Sequence, residues 1–413
     1  MQPQSLALQF NRAFEKLSPR SDEYVPDIVR LVLGEARSAR ASDVHLVPGE
    51  STLMMQWRID GVLHTIAGFD REIATRVIAR LKVVCGLLTY RTDIPQEGRV
   101  AREYSSTEVR VTTFPTLHGE KAAIRLFAEN DQLQRLDQLG LPTHVLSDLR
   151  RHLAATAGVI LLTGPSGSGK TTTAYACLRD IICEATGSRC IMTLEDPIEV
   201  AVDGATQSQV RPAAGFDLAT GLRSLMRQDP DVILVGEIRD PETAEAAFQA
   251  ALTGHLVLTT FHAGSSAEAI TRLLDMQIEP YLIRSGLRSV ICQRLLRKSC
   301  SVCSPPSTSI GNSGILKNLE IETDKPGTTA TPSTCSVCGS TGYLGRLVLA
   351  EMLDPDHPDV VRAILQRSDA RQLAKLAESA GMETLHQAAI NAVSQGFTTH
   401  EEVLRVLGTA TRN

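Results

Sequence analysis

The run Gly164-Pro165-Ser166-Gly167-Ser168-Gly169-Lys170-Thr171 carries the residue types that cradle a polyphosphate. It fits G-x-x-x-x-G-K-[ST], follows the apolar run GVILLT and enters a helix-compatible segment. Glycines let the backbone wrap the phosphates, so that amide N–H groups and a helix N-terminus face the negative charge. Lys170 would reach the β- and γ-phosphates, the Thr171 hydroxyl would bind Mg²⁺, and Thr172 would complete the first helical turn beside them. The strand before and the helix after separate this motif from a chance glycine-rich turn. ATP with Mg²⁺ is the expected ligand.

Two further strand-like runs end in acid: DVILV in Gly236-Glu237-Ile238-Arg239-Asp240, and IMTL in Glu195-Asp196-Pro197-Ile198-Glu199. An acidic residue at the end of a parallel strand beside a phosphate loop handles Mg²⁺ or the attacking water. Glu237 is the first choice for polarising that water, and Glu195 supplies a second carboxylate. Alone, either cluster reads as a solvated strand-end loop; the phosphate loop reverses that reading. A fourth run, Leu256–Phe261, is bracketed by His255 and His262. A histidine there is either structural or a sensor of the γ-phosphate by hydrogen bonding, and His262 is the candidate sensor.

These motifs need a scaffold of buried strands. GVILLTG, SRCIMTLED, DVILVGE and HLVLTTF are near-continuous apolar runs alternating with helical patterns from Gly140 onward, as in a parallel sheet covered on both faces. Residues before about 130 differ. Asp27–Arg40 has apolar residues at helical spacing, followed by the strand-like runs VHLV, LMMQWRI, GRVAR, EVRVTTF and KAAIRLF, a mixed α+β module. Ala128–Arg135 reads as a linker, Ser304–Thr334 as an exposed insertion rich in Ser, Thr, Pro and Gly, and the chain from about Asp359 as helical.

The 413 residues allow two or three domains. Net charge is −5 and aromatic residues make up 4%, so neither a basic field nor stacking platforms for bases favour a nucleic-acid partner. The first residues lack a signal-peptide pattern, and no apolar run approaches the roughly 18 residues of a membrane span. A cytoplasmic protein is expected, with any membrane association made through partners. Cys300-x-x-Cys303 and Cys335-x-x-Cys338 can supply four thiolates to a tetrahedral, structural Zn²⁺. Their separation exceeds the common zinc-ribbon spacing, and a redox pair or free thiols are the rival readings. Cys85, Cys177, Cys183, Cys190 and Cys292 sit in apolar or helical contexts and read as small buried residues.

Taken in order, these blocks resemble the secretion-ATPase superfamily of type II secretion and type IV pilus assembly motors. LRSLMRQDPDVILVGEIRD followed by ETAEAAFQAALTGHLVLTTFH carries the likeness in the core. Upstream it rests on Ala41–His45, Arg58–Gly61, Pro95–Arg99, Val109–Val111 and His118–Lys121, and downstream on Gly342–Arg346 and Gly381–Leu385. It covers about residues 25–410. The resemblance implies a RecA-like P-loop NTPase core (α/β, parallel sheet), preceded by a smaller α+β, PAS-like domain and carrying a four-cysteine zinc subdomain. The implied boundaries are an N-terminal extension at 1–24, the module at 25–130, a linker at 131–140, the core at 141–297, the zinc subdomain at 298–345 and a helical region at 346–413.

By the same resemblance, Glu195 and Glu237 serve Mg²⁺ and water, and His262 sits near the nucleotide. Arg99, Arg110 and Arg125 would close over the phosphates within a subunit or across a ring interface, and Arg346 joins the nucleotide-binding set. Solvated strand-surface pairs are the alternative for the three module arginines; Arg223 and Arg227 have the same ambiguity and could pair with Asp229 or Asp231. The implied assembly is a homo-hexamer, peripheral to the inner membrane, driving a platform protein and held by a recruitment partner. The cysteine site favours the assembly and secretion motors over retraction motors. Two departures from the resemblance are expected to matter: with few residues ahead of the shared module, the docking domain that precedes it in secretion motors would be missing or reduced, and Ala263-Gly264-Ser265-Ser266 stands where the family usually has Thr-Asn after the histidine. A regulatory module gated by ATP and a DNA-translocating ATPase are the other functional readings.

Overall fold

Apolar and polar residues alternate along the strands of the N-terminal module, and in the computed structural model they line one face of an antiparallel sheet. The structure describes residues 4–101, 104, 108–126, 135–185, 188–303 and 335–409. The Ser304–Thr334 insertion therefore lies outside the described residues, as do residues 128–134 of the expected linker. Contacts divide the chain into two compact units, Met1–Glu129 with Arg297–Arg346, and Asn130–Leu296 with Leu347–Asn413.

The first unit contains α1 (Gln4–Phe14), α2 (Tyr24–Ser38), β1 (Ala41–Pro48), β2 (Thr52–Ile59), β3 (Val62–Asp70), α3 (Arg71–Val84), β4 (Gln96–Arg99), β5 (Val109–Thr116) and β6 (Gly119–Leu126). The sheet order is β3-β2-β1-β6-β5-β4. Val44, Leu46, Leu53, Met55, Trp57, Val111 and Ile124 point to one side and are buried with Ile28, Val32 and Ala36 of α2 and Val77 and Leu81 of α3. The few aromatic residues concentrate here: Phe10 of α1 is fully buried and meets Trp57 edge-on at 5.9 Å. β3 is absent from the runs read in the sequence because its pairing with β2 slips between Met55 and Gln56, which breaks the alternation.

The second unit contains α4 (Thr143–Leu153), β7 (Gly158–Thr163), α5 (Lys170–Ala185), β8 (Ile191–Glu195), β9 (Thr206–Gln209), α6 (Leu218–Leu225), β10 (Val232–Val235), α7 (Pro241–Leu252), β11 (Leu256–Phe261), α8 (Ser266–Asp275) and α9 (Pro280–Gly286). β12 (Leu287–Ser299) and β13 (Tyr343–Leu353) cross the unit boundary, and α10 (Pro358–Leu365), α11 (Ala370–Ser379), α12 (Leu385–Ser394) and α13 (His400–Leu407) end the described chain. The seven strands follow the order β13-β12-β7-β11-β10-β8-β9, and the ladders joining β12, β7, β11, β10, β8 and β9 are parallel. Every residue of β7, β10 and β11 is buried, which is why these runs are apolar without alternation. One face packs against α6 to α11 and the other against α4 and α5. The expected parallel α/β core with a preceding α+β module is the fold observed.

Candidate nucleotide and metal sites

The carboxyl ends of four neighbouring strands build the first site. In-register pairing sets Thr163 beside Phe261, Thr259 beside Val235 and Val235 beside Leu194, so the residues that follow these strand ends collect at one edge. Gly164 follows β7, Glu195 closes β8, Glu237 follows β10 and His262 follows β11. His255 lies at the opposite end of β11. Its Nδ1 is 2.8 Å from the Ala250 carbonyl and 3.2 Å from Thr253 Oγ1, at the end of α7. Of the two bracketing histidines, only His262 reaches the phosphate loop's edge.

Gly164, Gly167 and Gly169 have φ of 143°, 76° and 93°, conformations that L side chains rarely adopt. A Cβ on Gly164 would sit 2.5 Å from Ser168 Oγ and 2.6 Å from the carbonyl oxygen of Gln293, so the loop closes only with glycine there. Lys170 opens α5, is nearly buried, and donates from Nζ to the carbonyls of Gly164 and Pro165, both at 2.9 Å. Burial, with the nearby Arg294 charge, holds its ammonium below the usual lysine range, while Glu237 acts against the shift. Ser168 Oγ is buried without a hydrogen-bond partner. A glycine cradle at a helix N-terminus, a buried cation and an orphaned hydroxyl fit a nucleotide polyphosphate, and Thr171 and Thr172 stand in the first turn of α5 beside it.

The two carboxylates differ in surroundings. Glu195 is 3% exposed and accepts from Thr193 Oγ1 at 2.6 Å, Gln207 Nε2 at 3.0 Å and the Tyr175 hydroxyl. Burial and the neighbouring carboxylate raise the Tyr175 pKa well above the ordinary phenol range, so it stays a neutral donor. Glu237 is more accessible. Its Oε2 lies 3.5 Å from His262 Nε2, and its Oε1 accepts from Arg239, whose guanidinium also lies 3.6 Å from Asp196. Burial, and secondarily the Lys170 charge, lower the His262 pKa against the pull of Glu237. His262 is therefore a neutral imidazole near pH 7, able to donate or accept.

Sequence reasoning gave no role to Tyr175, Gln207, Arg239, Gln293 or Arg294. Arg239 lay inside the GEIRD run, and Gln293 sits in strand β12 beside β7; only the fold brings them to the site. The Arg227 guanidinium donates to the Arg223 carbonyl at 3.0 Å and to Ser224 Oγ at 3.3 Å, and Asp231 accepts from the Cys190 amide at 2.6 Å. The alternative pairing of Arg223 and Arg227 with Asp229 or Asp231 is not among the contacts of the described residues.

In the first unit, pairing places Arg99 opposite Arg110, Arg110 opposite Arg125, Arg125 opposite Asp43 and Asp43 opposite Arg58, a row across β4, β5, β6, β1 and β2. Like charges placed directly opposite repel. Carboxylates intervene: Glu108 is 3.3 Å from Arg99, Glu97 is 3.5 Å from Arg110 and Asp43 is 3.2 Å from Arg125. Arg346 is exposed at the end of this unit's second segment.

The Sγ atoms of Cys300, Cys303, Cys335 and Cys338 all lie within 4.8 Å of one another. Backbone bonds shape the knuckle: Cys300 N donates to the Gly342 carbonyl at 2.9 Å, and Ser340 N to the Cys335 carbonyl at 2.9 Å. Four converging sulfurs, mostly buried, fit a tetrahedral Zn²⁺ with Zn–S bonds of about 2.3 Å. Such a site leaves no open position for chemistry. Cys177 and Cys292 are buried as expected and Cys85 partly so, but Cys183 and Cys190 are exposed, because α5 turns one outward and the other precedes β8.

A parallel sheet whose strand ends gather a glycine phosphate loop, two carboxylates and a histidine defines a P-loop ATPase core. The family model described as "Type II/IV secretion system protein" matches residues 19–405. The chain belongs to that family, and it is an ATPase. It is 37% identical over 404 residues to the type II secretion system ATPase E of Vibrio cholerae, covering 97% of this chain and 79% of that protein. Identity to the type II secretion system protein E of Pectobacterium carotovorum is 40% over 396 residues, covering 94% and 76%. The crystal structure of the pilus retraction motor PilT with bound ADP is 26% identical, with a TM-score of 0.58 over 91% of this chain and 96% of that one. The Legionella pneumophila ATPase DotB, 22% identical with a TM-score of 0.66 over 94% and 97%, shares the fold.

Proposed function

We propose that this ATPase is a motor that hydrolyses ATP to assemble a type II secretion pseudopilus or a type IV pilus at the inner membrane. The observation that carries the hydrolytic part is the pairing of Glu237 with His262 beside Lys170 and the phosphate loop. Glu237 orients and polarises the attacking water, and Lys170 and the loop amides receive charge on the phosphates. Glu195, fixed by Tyr175, Thr193 and Gln207, and the Thr171 hydroxyl would hold Mg²⁺, which would supply neutralisation of phosphate charge. His262 hydrogen-bonds near the γ-phosphate and reports its presence.

The working form is a homo-hexamer, in which the Arg99–Arg110–Arg125 row and Arg346 close over phosphates and couple neighbours. Cys300, Cys303, Cys335 and Cys338 would hold a structural Zn²⁺, and their convergence supports reading the protein as an assembly or secretion motor. The mechanical partners are an inner-membrane platform protein and a recruitment partner. Light scattering of the full chain with and without ATP, alongside turnover at several concentrations, tests this reading. A hexamer whose formation raises turnover is expected; turnover by a monomer, unchanged by concentration, would overturn it.

A further inference from the structure

The peptide of Gly264, two residues beyond His262, is held on both sides. Its N–H donates to Glu268 Oε2 at 2.6 Å, and its carbonyl accepts from the Arg294 guanidinium at 2.6 Å. Arg294 donates a second bond, at 2.9 Å, to the carbonyl of Gln293, the same oxygen that lies 2.6 Å from where a Gly164 Cβ would be. A third side chain, Arg272, donates to the His262 carbonyl and covers the Phe261 ring at 5.4 Å. A continuous path thus runs from the phosphate loop through β12 to the backbone that carries His262.

Two features set this apart from an ordinary helix start. Ser265 is the N-cap of α8 and accepts from the Glu268 amide at 3.1 Å, which makes Glu268 the third helical residue. In a capping box that side chain returns to the N-cap's own N–H. Here it reaches one residue further, to Gly264, and a Cβ on Gly264 would lie 2.5 Å from its Oε2. With glycine at 264 the carboxylate can approach this closely.

We propose that Glu268 and Arg294 are positioning residues for the ATPase reaction, gripping the Gly264 peptide so that His262 stays registered against Glu237 and the phosphate loop. The inference rests on the role given to His262. Neither side chain touches the nucleotide in this scheme; both act through the turn. Arg294 is close enough for its charge to depress the Lys170 pKa, which places the grip at the loop's edge.

The experiment is a double-mutant cycle in the full-length protein, with kcat, KM for ATP and thermal midpoint measured for His262→Ala, Glu268→Ala, Glu268→Gln and His262→Ala/Glu268→Ala. Glu268→Ala should lower kcat about tenfold, the kinetic equivalent of one hydrogen bond to a charged group, with KM changed less than about twofold. Glu268→Gln, whose amide oxygen can still accept from Gly264, should recover most of the rate. In the His262→Ala background the Glu268→Ala substitution should cost nothing further. A purely structural cap would lower the thermal midpoint while leaving kcat and the cycle additive. Wild-type kcat in Glu268→Ala with an impaired His262→Ala, or losses that multiply in full, overturns the inference alone. Wild-type kcat in His262→Ala removes the role of His262 and the inference with it.

Discussion

Glu237 and His262 face one another from the ends of adjacent parallel strands, Oε2 to Nε2 at 3.5 Å, on the rim of the phosphate loop. One is an anion engaged by Arg239, the other an imidazole that burial keeps neutral. The pair is suited to a water held by the carboxylate with the histidine beside the phosphate it attacks.

Glu195 depends on its donors. In Tyr175→Phe a buried carboxylate loses one of three side-chain donors, at a cost of about 1–3 kcal/mol, and kcat should fall about tenfold. The Mg²⁺ concentration for half-maximal turnover should rise. An unchanged Mg²⁺ titration would assign Tyr175 to stability alone.

Gly164→Ala forces a side chain into the left-handed region and onto Ser168 and the Gln293 carbonyl. Strain of about 1–3 kcal/mol from the backbone alone is expected, with further loss from the clash. A fluorescent ATP analogue should no longer bind, and the thermal midpoint should drop. Retained affinity would mean that the loop rearranges without cost.

The phosphate loop, the buried parallel strands and both cysteine pairs were legible because their chemistry is local: glycine spacing, uninterrupted apolar runs and C-x-x-C knuckles sit within a few residues. Contacts made across the sheet were not. Tyr175 on α5 meets Glu195 on β8, and Arg294 on β12 meets Gly264 after β11, pairs that no window of sequence joins. The row of arginines was half legible. Each residue could be named, yet only strand register shows Arg99, Arg110 and Arg125 side by side with Arg58 at the far end.

The knuckle should bind one Zn²⁺ per chain, measured by metal analysis of protein prepared without chelator. Cys338→Ser should lose the metal and lower the thermal midpoint, because thiolate–zinc bonds contribute to folding directly. A metal-free protein with the four thiols freely titratable would contradict the site.

Acid should destabilise the fold through its histidines. His45, His64, His152 and His262 all have pKa values lowered chiefly by burial. The unfolded chain binds protons at these positions near pH 6.5, where the folded chain does not, so stability falls as pH drops through 6.5 toward the folded values and is full above it. Thermal midpoints from about pH 7.5 down to about pH 5.5 should decline, and His152→Gln should flatten the decline. A flat profile would show these rings protonating freely in the folded state.

Steady-state ATP hydrolysis by the full-length protein beside Lys170→Ala and Glu237→Gln tests the central claim most directly. The account predicts turnover by the wild type, loss of nucleotide binding and turnover in Lys170→Ala, and in Glu237→Gln retained binding with turnover reduced at least about a hundredfold. Turnover in Glu237→Gln equal to wild type would contradict the account, since the water would then be activated elsewhere than between Glu237 and His262.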